Sequence, residues 1–204
     1  MSDGTTDGLS EEHYFTADPT VAFERIPVRA EVWDTTFDLT SGSGVFAKGR
    51  VDIGTSVLFR ETEPPAPGRI LDVGCGYGVI GLAIAALVPD ATVTAVDVNE
   101  RALLLANENA ARLGLTNYRA CLPAEAAGEY DEIWSNPPIR IGKPALHELL
   151  LHWLPMLAPS GRAVMVVGKT LGADSLTTWL GAQGFPTTRL ASAKGFRVLE
   201  TRRG

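Results

Sequence analysis

The chain is predicted to fold as a doubly wound α/β domain around a mostly parallel, seven-stranded sheet, with a β-hairpin added at its N-terminal side. Three observations carry that expectation. From residue 69 onward, short apolar runs at 69–73, 92–97, 117–122, 131–135 and 162–168 alternate with helical stretches at 78–87, 99–113, 143–157 and 172–183. Alternation of this kind builds a parallel sheet covered on both faces. The first of these strands runs into Gly74, Gly76 and Gly78 and then into the almost wholly apolar run 79–88, which stops at Pro89. That order is a strand, a tight turn and a buried helix. Upstream, residues 28–33 and 36–40 flank Asp34-Thr35 with period-two alternation, as a hairpin does.

In chain order, residues 1–20 carry Gly4, Gly8, Pro19 and five acids and read as a loosely ordered acidic segment. One domain is expected over 21–204. The start is polar and unlike a signal peptide. His13-Tyr14-Phe15 is an amphipathic cluster expected to dock on the body, because aromatics normally bury. The hairpin region occupies 28–44 and ends in Ser41-Gly42-Ser43-Gly44, read as a flexible link. Residues 45–55 alternate charged and glycine positions with apolar ones ahead of a helix over 52–61. Pro64-Pro65-Ala66-Pro67-Gly68 breaks the chain before the central strand. In the helix at 143–157, Leu146, Leu149, Leu150, Trp153, Leu154 and Leu157 form one apolar stripe and are read as core. Residues 186–192 and 195–201 make a terminal strand pair around Ala193-Lys194. There is no internal repeat, so the core at 69–204 is counted once.

Composition narrows the class. Of 204 residues, 45% are hydrophobic, ample for one core, yet no apolar run reaches the roughly 18 residues of a membrane span. Two cysteines, Cys75 and Cys121, are no disulfide framework and read as buried free thiols of a cytoplasmic protein. His147 and His152 lie on different faces of their helix, so no metal is expected. Net charge is −6, but residues 1–31 hold seven acids and two bases, which leaves the remaining body nearly neutral. A broad basic face for nucleic acid is absent.

The glycine turn has its own chemistry. A dinucleotide fingerprint is G-x-G-x-x-G/A; counted from Gly74, its third small residue falls on Val79. The motif here is instead D-x-G-x-G-x-G, with Asp72 where a pyrophosphate would be repelled. Asp97 ends the next strand, within reach of a ribose diol. Two carboxylates facing one ligand suit a molecule with an ammonium, a sulfonium and a ribose, which describes S-adenosyl-L-methionine. With "LDVGCGYG" and "VDVN" the chain resembles class I S-adenosylmethionine-dependent methyltransferases, which have a Rossmann-like fold whose last strand runs antiparallel to its neighbours. The resemblance implies that Asp72, Gly74, Cys75, Gly76, Gly78, Asp97 and Val98 hold the cofactor, with Asn136 beside them.

A second motif, Ser135-Asn136-Pro137-Pro138-Ile139, follows strand 131–135. Ligands of open α/β sheets lie beyond the carboxyl ends of the strands, which puts Asn136 near the glycine turn. The prolines remove two N–H donors and fix φ, leaving a rigid array of acceptors. An exocyclic NH2 is a poor nucleophile because its lone pair is delocalised. Acceptors gripping its N–H bonds can turn that pair toward a methyl group, and such positioning is worth several kcal/mol. The motif resembles the N-P-P-[aromatic] of methyltransferases of planar amino groups, with Asn136, Pro137 and Pro138 in the catalytic place. Ile139 replaces the aromatic that stacks on adenine.

The longer string Asn136 to Lys143, with Gly44-Val45-Phe46, Asp52-Ile53-Gly54-Thr55 and His13-Tyr14-Phe15, resembles the small-subunit ribosomal RNA guanine-N2 methyltransferase family over residues 13–202. Better-known members carry a second, degenerate domain that is missing here. The resemblance implies ribosomal RNA or the small ribosomal subunit as partner. Phe46, Lys48, Arg50, Ile139, Arg140 and Lys143 are the candidate substrate contacts. The four bases read equally well as solvated loop charges. A glutamine amide or a small molecule is the alternative substrate, and a non-catalytic cofactor-binding module the alternative class.

Overall fold

The computed structural model describes residues 22–138 and 141–204. The elements are β1 (Arg25–Val32), β2 (Thr35–Gly42), α1 (Ile53–Arg60), β3 (Arg69–Val73), α2 (Val79–Leu87), β4 (Thr92–Val96), α3 (Glu100–Arg112), β5 (Tyr118–Cys121), β6 (Tyr130–Ser135), α4 (Lys143–Trp153), β7 (Leu157–Gly168), α5 (Ala173–Ala182), β8 (Thr187–Ala193) and β9 (Phe196–Arg202). The expectations for residues 1–20, for Ile139 and for Arg140 lie outside the described residues.

Seven strands form one sheet in the order β5-β4-β3-β6-β7-β9-β8, while β1 and β2 pair separately. β3 to β7 are mutually parallel, and β9 runs antiparallel to both β7 and β8. The strands alternate between two cores, as a period of two requires. Ile70, Val93, Trp134 and Val164 join the core that also takes residues of α1, α2, α3 and the hairpin. Leu71, Val96, Ile133 and Met165 join the core shared with α4 and α5. The sheet is therefore apolar on both faces, and covered on both.

Three local readings change. The hairpin turns at Trp33-Asp34 rather than Asp34-Thr35, with φ of 43° and 60°. Two successive positive-φ residues match the twist of a two-residue hairpin. Trp33 packs edge-on against Phe59 at 5.1 Å and Trp134 at 5.8 Å, which offsets the strain of its backbone. Ser41-Gly42-Ser43-Gly44 is buried rather than a flexible link. Ser43 Oγ accepts from the Glu24 N–H at 2.8 Å, and a Cβ on Gly42 would meet Phe23 Cε2 at 2.8 Å; glycine serves close packing here. Lastly, the helix from 143 ends at Trp153, since Pro155 cannot continue the hydrogen-bond ladder, and β7 starts at Leu157, five residues before its expected start at 162.

The hairpin is fastened to the sheet by α3. Asn109 is fully buried; its Oδ1 accepts from the Thr40 N–H at 2.8 Å, and its Nδ2 donates to the carbonyls of Thr40 and Tyr77 at 2.9 and 3.0 Å. One side chain thus ties the hairpin to the loop that follows β3.

Candidate active site

β3 lies between β4 and β6, where the strand order reverses, and ligands of open α/β sheets bind at such a switch point. The parallel register aligns Val73 with Val96 on one side and with Ser135 on the other. The residues that follow, Gly74, Asp97 and Asn136, therefore leave the sheet at one level. All three line a cavity of about 520 Å³ with Gly76, Val98, Asn99, Pro123, Pro137, Pro138, Phe46, Lys48, Arg50, Asp52 and Phe196, among others.

The glycine turn is stitched to the end of β4. The Val96 carbonyl accepts from the N–H groups of Gly74 and Cys75 at 2.9 and 3.0 Å, and Asp97 Oδ2 accepts from Gly76 at 2.9 Å. Asp97 Oδ1 accepts from Asn99 at 2.9 Å. A carboxylate has about four acceptor sites, so Asp97 can still take a further donor beside these. Burial pushes the Asp97 carboxyl above its usual range, while hydrogen bonds from Asn99, Gly76 and Val98 pull it back. Gly76 has φ of +54°, and a Cβ there would meet nothing within 4 Å; its backbone faces open space. Gly78, at φ +95°, is pinned differently: a Cβ would meet Tyr118 Oη at 2.8 Å and Leu82 Cδ1 at 2.9 Å.

Asp72 does not line the cavity. It is 0% exposed beneath the turn, and its Oδ2 accepts from the Gly81 N–H at 2.9 Å, bracing the start of α2. Its Oδ1 has no partner among the described residues. Burial is the main reason its carboxyl is pushed up to about 7; the Gly81 hydrogen bond opposes this and Asp97 adds to it. Cys75 is buried too, and burial pushes its thiol well up, which leaves it a packing residue of the turn rather than a nucleophile. Val98 is 49% exposed at the cavity's edge.

Opposite the turn, Asn136 Nδ2 donates to Asp52 Oδ1 at 2.7 Å and to Thr55 Oγ1 at 2.9 Å. A carboxylate only accepts, so the nitrogen must face α1 and Oδ1 is the atom left to accept from a ligand. Pro137 and Pro138 line the cavity beside it, but the Pro138 carbonyl already accepts from the Ile141 N–H at 3.2 Å. Phe46, 40% exposed, and Phe196 supply aromatic surface. Lys48 and Arg50 are exposed on the cavity wall. Lys143 is not there: it opens α4, with its Cε 3.7 Å from where a Gly172 Cβ would lie.

Sequence reasoning missed Asp52 and Thr55 as partners of Asn136, and Phe196 and Asn99 as cavity residues. The N-cap pattern of Asp52 was legible, but its second contact spans 84 residues. Asn99 caps α3 and donates Nδ2 to the Gly44 carbonyl at 2.7 Å, drawing the 44–50 loop over the cavity. The donor set fits S-adenosylmethionine: a carboxylate with spare acceptor capacity at a strand end, a glycine backbone open to close approach, and apolar walls around them.

Fold and site together define the class, an S-adenosylmethionine-dependent methyltransferase. The methyltransferase small domain family model matches residues 36–200, and the chain belongs to that family. It is 36% identical over 198 residues to the uncharacterized protein YbxB of Bacillus subtilis, covering 94% of this chain and 98% of that one. It is 35% identical over 177 residues to the ribosomal RNA small subunit methyltransferase C of Ectopseudomonas mendocina, covering 83% of this chain and 52% of the relative. Among solved structures, the T. thermophilus 16S rRNA N2 methyltransferase RsmC, in complex with AdoMet and guanosine, superposes with a TM-score of 0.73 at 21% identity, over 92% of this chain and 53% of that one. The chain thus spans about half the length of these two methyltransferases.

Proposed function

We propose that this methyltransferase modifies an exocyclic amine, guanine N2 of small-subunit ribosomal RNA, in the cytoplasm. Residues 21–204 act as one methyltransferase domain, with 1–20 as a peripheral acidic segment. The observation that carries this reading is Asn136, whose amide nitrogen is taken up by Asp52 and Thr55, leaving its oxygen to accept. A site built to position an amine needs an acceptor there, and an amide held this way offers one.

The roles then follow from position. Asp97 accepts from the ribose hydroxyls, and Gly74, Gly76 and Val98 form the surface on which the cofactor lies. Asp72 and Gly78 hold the turn in shape from below. When bound, S-adenosylmethionine supplies an electrophilic methyl group carried on a sulfonium. Asn136 Oδ1 and the backbone carbonyl of Pro137 accept the two N–H bonds of the amine, turning its lone pair out of conjugation and toward the cofactor. The nitrogen sheds one proton to water afterwards, so no general base is needed. Phe46, Phe196 and Pro138 are surfaces against which a planar base can lie. Lys48 and Arg50 reach flanking phosphates, which position the strand without reading its sequence.

The similarity to relatives named for ribosomal RNA methylation supports RNA as substrate. Lys48 and Arg50 are the only described bases on the cavity wall, and that sparse charge favours a glutamine amide or small molecule as the second reading. Transfer of a labelled methyl group to isolated small subunits and to naked RNA, followed by nucleoside analysis, decides between them. N2-methylguanosine is the expected product; label in protein or in a small-molecule fraction alone overturns the RNA assignment.

A further inference from the structure

Asp52-Ile53-Gly54-Thr55 opens α1, and neither the cofactor nor the amine chemistry described above accounts for it. Asp52 is the N-cap of α1, with φ −61° and ψ 146°, and its Oδ1 accepts from Gly54 at 2.8 Å and from Thr55 at 3.3 Å. Capping fixes that oxygen in space. The same Oδ1 receives Asn136 Nδ2, and the buried hydroxyl of Thr55 receives it as well. A side chain at position 54 would not fit: its Cβ would meet Asp52 Oδ1 at 2.9 Å and Phe196 Cε1 at 3.0 Å. The helix behind this arrangement is anchored by Val57, Leu58 and Phe59, all in the core.

We propose that Asp52 and Thr55 are positioning residues that lock the Asn136 carboxamide in one of its two flip states, with oxygen toward the substrate amine. The argument is one of donors and acceptors. An asparagine amide free to flip would present NH2 to the amine half the time, donor against donor. The carboxylate on the nitrogen side removes that state, because flipping would set Asn136 Oδ1 against Asp52 Oδ1, which has no proton to donate, and would lose the hydrogen bond it receives from Nδ2. The N-cap of α1 thereby orders both the start of its own helix and the acceptor at Asn136. This inference rests on the amine-methylation reading.

The test is substrate-independent in its first part. In ¹H–¹⁵N spectra, the Asn136 side-chain NH2 signal, assigned by its loss in Asn136→Asp, is expected to be protected from solvent exchange in the parent. Thr55→Val keeps the shape and removes one of the two acceptors, so that protection should fall, with Asp52 alone left to hold the nitrogen. The same variant should lower kcat on small subunits about 10- to 100-fold, the range for supporting-shell partners. KM, cofactor affinity and melting temperature should stay near the parent's. Thr55→Ser, which restores the hydroxyl, should restore both protection and rate. Parent-like protection and kcat in Thr55→Val, with Asn136→Ala inactive, would overturn the positioning role and leave the amine reading intact. A rate loss that tracks melting temperature and is not recovered by Thr55→Ser would mark Thr55 as a packing residue and also overturn it. If Asn136→Ala itself turns over like the parent, the amine reading fails, whatever the exchange data give.

Discussion

Asp72 and Asp97 look alike in the sequence, each a carboxylate at a strand end, yet the structure gives them different surroundings. Asp97 borders the cavity and accepts from Gly76 and Asn99. Removing it should weaken S-adenosylmethionine binding by about 1.5–3 kcal/mol, the range for hydrogen bonds to a charged group; calorimetry on Asp97→Ala with unchanged affinity would refute the ribose assignment. Asp72 is sealed under the turn with its carboxyl raised to about 7. Between about pH 4, where an unfolded Asp loses its proton, and about pH 7, the folded state keeps a proton that the unfolded chain has lost. The contribution of Asp72 to the stability of the cofactor-free protein is therefore largest at the acidic end of that window. It falls as the pH rises through the window and levels off above it. Urea titrations across pH should show this slope in the parent and a flatter one in Asp72→Asn; parallel curves would mean Asp72 is already ionised when folded. The sequence could place both carboxylates next to the turn, since strand and turn signals are local. It could not tell which faces the cavity, because residues 72 and 73 point to opposite faces and the Asp72 face is closed by α2, an element only tertiary packing puts there.

At the level of elements, the alternating pattern identified each strand and helix of the sheet, and the register of β3, β4 and β6 brought Gly74, Asp97 and Asn136 to one edge as the motif order implied. What stayed hidden were contacts across the chain. Ser41-Gly42-Ser43-Gly44 has the composition of a linker, and only its burial against Phe23 and Leu105 reveals a packing role. The Asp52–Asn136 contact was hidden for the same reason: caps are local, but a cap's second partner is not. The three glycines of the turn also separate by role. Gly78 meets Tyr118, Leu82 and Ala106 at a positive φ, so Gly78→Ala combines a clash with backbone strain of about 1–3 kcal/mol. Chemical denaturation should show a loss of at least that size. A loss below about 0.5 kcal/mol would mean that α2 can shift away from β5 without cost.

At the scale of the whole molecule, a net charge of −6 means that the RNA contact proposed above has to rest on local bases. Lys48 and Arg50 are the bases that the described structure brings to the cavity, while Lys143 is directed elsewhere. Two neutralised phosphates contribute a slope of about −1.4 to log K against log salt for single strands. Binding of the Lys48→Ala/Arg50→Ala double variant to small-subunit RNA should therefore be weaker and less salt-dependent by about that amount. An unchanged slope would assign both to solvent. Of the four bases expected at the rim, Lys48 and Arg50 line the cavity, Arg140 lies outside the described residues, and Lys143 is elsewhere because it opens α4.

The account as a whole turns on Asn136 meeting the substrate amine and not the cofactor. The direct measurement compares Asn136→Ala with the parent in single-turnover methyl transfer to small ribosomal subunits and, on the same preparations, in calorimetric binding of S-adenosylmethionine. The rate constant is expected to fall about 100-fold or more, as for loss of a group that orients the reacting atoms, while the cofactor dissociation constant stays within about threefold, less than one hydrogen bond's net worth. Equal losses in rate and affinity would contradict the account and make Asn136 a cofactor or structural residue.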